Sequence, residues 1–142
     1  MTTAKHRPVF LHGEKEGRDK TWPVYTLEEV GEHAHKDDCW IVVNDKVYDM
    51  TKHMETHEGW NGSGKVSTLV ALLSAMGTDC TDDVLESHDR HAMRQISMFQ
   101  IGVLDEPNGG SKLVRFLTWE QIEEAAFDAS VARSKLWRVV DS

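Results

Sequence analysis

The sequence predicts an α+β fold, in which a small sheet is combined with several short helices. Two runs rich in β-branched and aromatic residues, 39–43 and 46–50, flank the turn Asn44-Asp45, a pattern typical of a β-hairpin. Later stretches carry apolar residues at helical spacing, and the strand-like run 101–104 follows them. A length of 142 residues suits one compact domain with additional tails.

The composition is that of a globular protein, since 39% of the residues are apolar and 28% are charged. The longest apolar run, 69–73, is far shorter than the roughly 18 residues that span a bilayer. Residues 1–19 lack the apolar stretch of a signal peptide. We therefore expect a soluble, cytoplasmic monomer without a membrane anchor.

The net charge of −8 argues against nucleic acid as a partner, because no basic run offsets it. Such a charge is compatible with a basic protein partner, and also with solubility alone. Cys39 and Cys80 lie far apart and outside any Cys-x-x-Cys pattern, so we expect two reduced thiols.

The first half of the chain contains clear signals for local structure. Residues 1–23 are polar and interrupted by prolines and glycines, which indicates an extended or loosely packed arm. Thr26 and Glu29 form a capping-box pattern that predicts a short helix through about His33. After the hairpin, Thr51 is expected to cap a short helix that holds His53 and His57.

Further helices are expected in the second half. The glycines of 59–64 predict a flexible stretch around Trp60, and Gly77 is placed to end a helix over 67–76. Two more helical segments, 81–86 and 89–100, precede the last strand.

The C-terminal region begins with a linker signal at 108–111. Thr118 and Gln121 then predict the start of an amphipathic helix with apolar residues at 119, 122, 126, 127 and 131. We expect this helix to dock on the back of the domain through these positions. The expected organisation is an arm over 1–23, a domain over 24–105 and an extension over 106–142.

Four of the eight histidines form two close pairs. His53 and His57 are four residues apart, and His88 and His91 are three apart, so each pair shares a helix face. Imidazole is a good ligand for zinc, copper and haem iron. Three interpretations are open: surface histidines, a four-histidine zinc site, or a haem with one imidazole on each side.

The residues around the pairs favour haem, because a flat apolar ligand needs much more apolar wall than a tetrahedral zinc ion. Covalent haem attachment is excluded by the absence of a Cys-x-x-Cys-His motif. The apolar residues that we expect to form the slot are Met54, Trp60, Val66, Leu69, Val70, Leu73, Val84, Leu85, Met93, Ile96 and Phe99.

Over residues 24 to 105 the chain resembles cytochrome b5. The motifs that carry the resemblance occur in the family's order: Tyr25-Thr26-Leu27-Glu28-Glu29, the strand that starts at Cys39-Trp40, Lys46-Val47-Tyr48-Asp49-Met50-Thr51-Lys52, Asp79-Cys80-Thr81 and Ile101-Gly102-Val103-Leu104. His57-Glu58-Gly59-Trp60 stands where members usually have His-Pro-Gly-Gly. Thirty residues, 58–87, separate His57 from His88, several more than is usual, and we expect the excess in a pocket helix or its loop.

The resemblance implies a small mixed sheet with two helical pairs that form a haem pocket. It also implies that His57 and His88 bind the iron of a non-covalent haem b, and that Ala92 lies at a matching pocket position. His53 and His91 would then lie at the pocket rim or in solvent. The implied function is an electron carrier, not an enzyme, that exchanges single electrons with a reductase and an acceptor. A zinc-binding module and a haem-sensing module remain the alternatives.

Overall fold

The computed structural model describes residues 8–10, 21–57, 60, 65–112 and 115–141, with side chains between 21 and 131. In these ranges six strands form one sheet in the order β1-β2-β6-β5-β4-β3. Strands β2 and β6 are parallel, whereas the other neighbours are antiparallel, so the predicted mixed sheet is confirmed. The strands are β1 Pro8–Phe10, β2 Thr21–Tyr25, β3 Ala34–His35, β4 Asp38–Val43, β5 Lys46–Asp49 and β6 Gln100–Leu104.

Among the described residues, five helices longer than three residues accompany the strands between 27 and 99, and a sixth lies near the C-terminus. They are α1 Leu27–Gly31, α2 Thr51–Met54, α3 Val66–Ala75, α4 Thr81–Ser87, α5 Arg90–Ile96 and α6 Trp119–Asp141. A 3₁₀ turn over Ser97–Phe99 joins α5 to β6. The helices predicted for 67–76, 81–86 and 89–100 are thus confirmed with shifts of a few residues at their ends.

The hairpin of β4 and β5 has the predicted two-residue turn. Val43 pairs with Lys46, and the turn residues Asn44 and Asp45 have φ angles of 53° and 62°. This is the left-handed conformation that two-residue hairpin turns require. Asn and Asp adopt it more readily than other non-glycine residues, so the turn forms without glycine.

The predicted capping box opens α1. The Glu29 backbone N–H donates to Thr26 Oγ1 at 3.0 Å, and the Thr26 N–H donates to Glu29 Oε1 at 2.8 Å. The helix ends at Gly31, two residues before the predicted end at His33.

The described parts of the N-terminal segment are strands, which agrees with an extended arm and not with a loosely packed one. Strand β1 pairs with β2, with Val9 opposite Trp22. The outer edge of β2 is therefore covered, which protects a sheet edge that would otherwise present unpaired backbone groups. Strand β2 also spans residues 23 and 24, where we expected the arm to end and the domain to begin. The division into arm and domain stays a prediction.

The expectation that Thr51 caps α2 is wrong. The capping position is Met50, which makes no side-chain capping bond, and Thr51 is the first helical residue. The Thr51 hydroxyl donates to Asp49 Oδ1 at 2.6 Å and accepts from the Cys39 backbone N–H at 2.9 Å. The hydroxyl thus ties the helix start to β4 instead of serving the helix itself.

His57 also lies outside α2, contrary to the prediction. The helix ends at Met54, and the His57 N–H donates to the Met54 carbonyl at 3.2 Å in the turn after it. The predicted flexible stretch of glycines falls on 58, 59 and 61–64, which lie outside the described residues. The location of the extra residues between His57 and His88 stays a prediction.

The segment expected to be a linker is a turn attached to the domain. The Asn108 N–H donates to Asp45 Oδ1 at 2.8 Å, and its side-chain amide donates to Asp79 Oδ2 at 2.7 Å. Gly109 and Gly110 supply the positive φ angles of 66° and 78° that the turn requires. Local composition indicated a flexible link because the partners of Asn108 are distant in sequence.

The sheet separates two cores. Alternate residues of β4 point to opposite faces, so Cys39, Ile41 and Val43 join the larger core while Val42 joins the smaller one beneath α1. The larger core also holds Trp60 and the inner faces of the other helices.

Helix α6 docks on this larger core, and only part of the predicted face takes part: Ile122 and Ala126 are half-buried, and Ala126 packs against the core. Its reciprocal capping bonds between Thr118 and Gln121 are confirmed. The buried residues are Ala125 and Ala129, whereas Trp119 and Phe127 are 76% and 69% exposed. The prediction included the large residues Trp119 and Phe127, which are exposed, and missed Ala125 and Ala129, the two buried residues among the described side chains of the helix.

Candidate functional site

An apolar cavity of about 80 Å³ lies between β4 and the helices α2 to α5. Most of its wall is made of aliphatic side chains, sulfur atoms and imidazole rings, so it offers little hydrogen bonding to a ligand. The lining residues are Cys39, Ile41, Met50, His53, Met54, His57, Leu72, Ala75, Met76, Cys80, Val84, His88 and Ile96.

His57 and His88 face each other across this cavity. Their ring centroids are 6.3 Å apart and the ring planes are inclined by 69°. Two imidazoles that bind one metal ion from opposite sides, each through a nitrogen at about 2 Å, have centroids about 6 Å apart. The spacing of the two rings therefore fits a single metal ion between them.

Hydrogen bonds fix the ring of His88 at the end of α4. Its Nδ1 lies 3.1 Å from the Val84 carbonyl oxygen and 3.0 Å from Ser87 Oγ. A carbonyl can only accept, so Nδ1 carries the proton and Nε2 keeps its lone pair. The Ser87 hydroxyl donates its own proton to the Asp83 carbonyl at 2.6 Å, which leaves its oxygen free to accept. This is the tautomer that a metal-binding imidazole needs.

His53 is part of the cavity wall, whereas His91 is exposed on α5 and does not line the cavity. The His53 ring is 5.7 Å from that of His57 and 5.4 Å from that of Phe99. Burial lowers the pKa of His53, and repulsion from His88 adds to the effect. The neutral form of His53 is therefore favoured, and in that form the ring can pack as an apolar neighbour.

The four-histidine zinc site has no counterpart among the described residues, which include all four histidines. No group of three or more His, Cys, Asp or Glu side chains in those ranges could hold a metal ion. The observed arrangement is a facing pair of imidazoles with apolar walls.

Several residues expected in the slot do lie there or next to it. Met54, Val84 and Ile96 line the cavity. Phe99 is half-buried and contacts it through His53. Trp60 and Leu69 are buried in the same core but do not line the cavity, and Met93 packs against that core.

Other expected slot residues lie elsewhere. Val66 and Leu85 are 57% and 44% exposed and do not line the cavity. Leu85 follows Val84, and consecutive helical residues point about 100° apart, so only one of the two faces inward. Leu73 lines a second cavity beside Arg115, and Val70 and Ala92 are half-buried outside the first one. Spacing alone did not determine which side of each helix turns inward.

Sequence reasoning missed eight of the lining residues. The strand alternation of β4 could have identified Cys39 and Ile41, which share its inner face. Helical spacing on α3 could have paired Leu72 with Met76. The others carried no local signal, because Met50, His53, Ala75 and Cys80 reach the cavity only through the packing of separate elements.

Both cysteines are free and buried in this wall. Burial, with a smaller effect of nearby carboxylates, raises the pKa of the Cys39 and Cys80 thiols to about 12 each. The thiols are protonated and unreactive near neutral pH, in agreement with the expectation of reduced structural cysteines.

Across the residues that the structure describes, no helix combines the length and the apolar character needed to cross a membrane.

Comparisons with known proteins agree with this architecture. Residues 26–105 match the family model of the cytochrome b5-like heme/steroid binding domain. Cytochrome b5 isoform B of Arabidopsis thaliana is 39% identical over 83 residues, which cover 58% of this chain and 56% of that protein. The chain thus matches just over half the length of this plant relative.

Two bacterial proteins are also similar. Soluble cytochrome b558 of Ectothiorhodospira shaposhnikovii is 36% identical over 93 residues, 62% of this chain and 93% of that protein. The solved structure of cytochrome b558 from Ectothiorhodospira vacuolata has 32% sequence identity and a TM-score of 0.48, and covers 59% of this chain and 100% of that one.

The family model covers more than half of the chain and includes every strand from β3 to β6. It also includes both facing histidines and all the residues that line the cavity between them. The chain therefore belongs to the cytochrome b5 family, whose haem b is held without a covalent bond.

Proposed function

We propose that this protein carries single electrons by means of a haem b whose iron is bound by His57 and His88. The observation that carries the proposal is the 6.3 Å separation of the two imidazole centroids across an apolar cavity. The hydrogen bond from His88 Nδ1 to the Val84 carbonyl supports it, since this bond leaves Nε2 available as a ligand.

The cavity also indicates what must happen when haem binds. Its volume of about 80 Å³ is well below the roughly 300 Å³ of a small cofactor site. The walls must therefore separate to admit the macrocycle. Helix α3 is the wall that provides Leu72 and Ala75, and, unlike α2 and α4, it makes few contacts with strand β4 that would resist its movement.

Haem supplies a reversible one-electron change at iron, and this chain's residues set the conditions for it. If His57 and His88 both bound the iron, no position would remain there for oxygen or a substrate, which would favour electron transfer over catalysis. Met54, Val84 and Ile96 exclude water from the cavity. The Val84 carbonyl accepts a hydrogen bond from the Nδ1 proton of His88, which makes the imidazole a more basic ligand for a metal ion.

The charge distribution supports basic redox proteins as partners. The chain has a net charge of −8, and Asp82 and Glu86 are exposed on α4, the helix that ends at His88. Acidic groups near the site would favour brief docking of a basic reductase or acceptor on this protein, which we propose acts as a monomer. The two unpaired thiols support the cytoplasm as the compartment.

Single substitutions test the iron ligands. The variants His57→Ala and His88→Ala should each lose the spectrum of haem with two axial imidazoles, because one axial position becomes open. Carbon monoxide should bind to these variants after reduction, but not to the wild type. Absorption spectra of the oxidised, reduced and carbon monoxide-treated proteins give the measurement.

The neighbouring histidines provide matched controls. His53→Ala and His91→Ala should keep the two-imidazole spectrum. His53 packs beside the ring of His57 and is not one of the proposed ligands, and His91 is exposed. Loss of that spectrum in either control, or its retention in His57→Ala or His88→Ala, would refute the ligand assignment. Failure of the reduced wild type to pass an electron to any basic acceptor would refute the carrier function.

A further inference from the structure

The chain continues past the family match at residue 105 and returns to the walls of the cavity. We call the described residues 106–112 and 115–131 the C-terminal segment. It begins at the Asn108 turn, which is attached to Asp45 and Asp79 by hydrogen bonds. The start of the segment therefore has a defined position on the domain, and the residues after the turn approach the pocket helices from a fixed point.

Arg115 contacts the end of α3 directly. Its guanidinium donates to the Met76 carbonyl oxygen and lies 3.4 Å from that of Leu73. These carbonyls belong to the last turn of the helix, where backbone acceptors lack helical partners and a positive charge is favourable. Met76 itself lines the cavity, so Arg115 holds a residue of the cavity wall from outside.

Helix α6 packs against α3. Ala125 and Ala129 of α6 are buried in the same core cluster as Leu69 of α3. Small residues allow two helices to approach closely, and α6 is the only helix with extensive contacts to α3 among the described residues. The wall formed by α3 is thus supported by α6 and by Arg115.

The segment reaches the opposite wall as well. Lys112 Nζ lies 2.8 Å from Asp83 Oδ2 on α4, the helix that ends at His88. This exposed pair contributes little by itself. The pair nevertheless shows that two residues only three positions apart contact different walls: Lys112 contacts α4, and Arg115 contacts the end of α3.

We infer that the C-terminal segment is a clasp that keeps α3 closed over the cavity, with Arg115 as its positioning residue. The clasp limits how often α3 moves outward. Because α3 is one of the walls that must separate when haem enters or leaves, the clasp slows haem loss. The inference about α3 stands on the contacts of Arg115 and α6, and the inference about haem loss rests on the proposed function.

The test compares Arg115→Gln and Arg115→Lys with Lys46→Gln, an exposed control on β5 that also loses one positive charge. Hydrogen exchange of the haem-free protein measures the opening of α3 at the amides of residues 69–75. We expect exchange there to be about tenfold faster in Arg115→Gln, a smaller increase in Arg115→Lys, and no change in the control. The amides of β4 and β5 should keep their wild-type rates.

A second measurement concerns the loaded protein. Transfer of haem to an excess of apomyoglobin should be several-fold faster from Arg115→Gln and unchanged in Lys46→Gln. Ala125→Leu, which separates α6 from α3 by overpacking, should have the same effect as Arg115→Gln. This variant tests the clasp without altering Arg115.

The outcomes separate the two components of the inference. Unchanged exchange in α3, or a uniform increase that includes β4 and β5, would overturn the clasp, since the latter is general destabilisation. Faster exchange in α3 with unchanged haem transfer would overturn the control of haem loss. If the wild type bound no haem through His57 and His88, the proposed function would fail while the exchange experiment still decided the clasp.

Discussion

The side chain of His88 illustrates how much of the site depends on individual hydrogen bonds. Its Nδ1 is within 3.1 Å of the Val84 carbonyl, while Ser87 directs its own proton to the Asp83 carbonyl. The helix end therefore selects the tautomer, and the sheet-facing cavity provides the apolar surroundings. His57, by comparison, is positioned by the turn after α2, in which its N–H bonds to the Met54 carbonyl.

The two buried thiols predict a specific loss of stability at alkaline pH. Burial raises the pKa of Cys39 and Cys80 from 9.0 to about 12. The unfolded chain loses these protons above about pH 9, whereas the folded protein keeps them, so the raised pKa values favour folding fully below pH 9. This contribution is lost progressively between pH 9 and 12. Urea unfolding of the haem-free protein at several pH values above 8 measures the decline.

A double variant isolates the thiols in this experiment. Cys39→Ala combined with Cys80→Ala should be less stable at pH 8, because it leaves a cavity, but its stability should fall less steeply above pH 9. Tyr48, whose pKa is also raised by burial, contributes equally to both proteins. Identical slopes for the wild type and the double variant would contradict the prediction.

At the level of single elements, the end of α3 depends on Gly77. Its φ is +73°, and an added Cβ would lie 2.8 Å from the Cβ of Ala34. Helix α3 can end in this position because glycine tolerates both the left-handed backbone and the close approach of β3. The sequence identified the helix end, but not the contact with Ala34.

We predict that Gly77→Ala destabilises the protein by about 3 kcal/mol, from left-handed strain of about 1–2 kcal/mol and a steric clash. Gly109→Ala is the matched control, because Gly109 also has a positive φ, of +66°, but nothing lies within 4 Å of an added Cβ. It should cost only about 1 kcal/mol. If thermal or urea unfolding gave the same loss of stability for Gly77→Ala and Gly109→Ala, the close contact with Ala34 would contribute nothing to the effect.

The position of α6 shows where reasoning from a single element ends. Its capping residues Thr118 and Gln121 were predictable, since a capping box involves residues three positions apart. Its buried face was predicted only in part, since Ile122 and Ala126 are half-buried as expected. The small residues Ala125 and Ala129 pack on the core, and Trp119 and Phe127 are exposed, because the distance between α6 and α3 decides which residues fit.

At the scale of the whole molecule, charge should govern encounters with redox partners. With a net charge of −8, reduction by a basic partner should become slower as ionic strength rises, because salt screens the attraction. Stopped-flow reduction between about 10 and 300 mM salt measures this dependence.

Two variants localise the charge effect. Neutralising Asp82 and Glu86 together, as Asp82→Asn and Glu86→Gln, should weaken the dependence on salt, since both lie on α4 near His88. Glu120→Gln and Glu123→Gln remove the same charge from exposed positions on α6 and should change it less. A rate independent of ionic strength in the wild type would exclude charge steering.

Local residue patterns were sufficient to predict the hairpin, the capping boxes at Thr26 and Thr118 and the helix end at Gly77, because these depend on residues only a few positions apart. The order of several motifs was likewise sufficient to identify the family. The positions of His57 beyond α2 and of His53 in the cavity wall became known only from the folded structure. The same holds for Arg115, which holds α3 through contacts with residues 39 and 42 positions away. Such contacts depend on how separate elements pack, and no local pattern of residues specifies that.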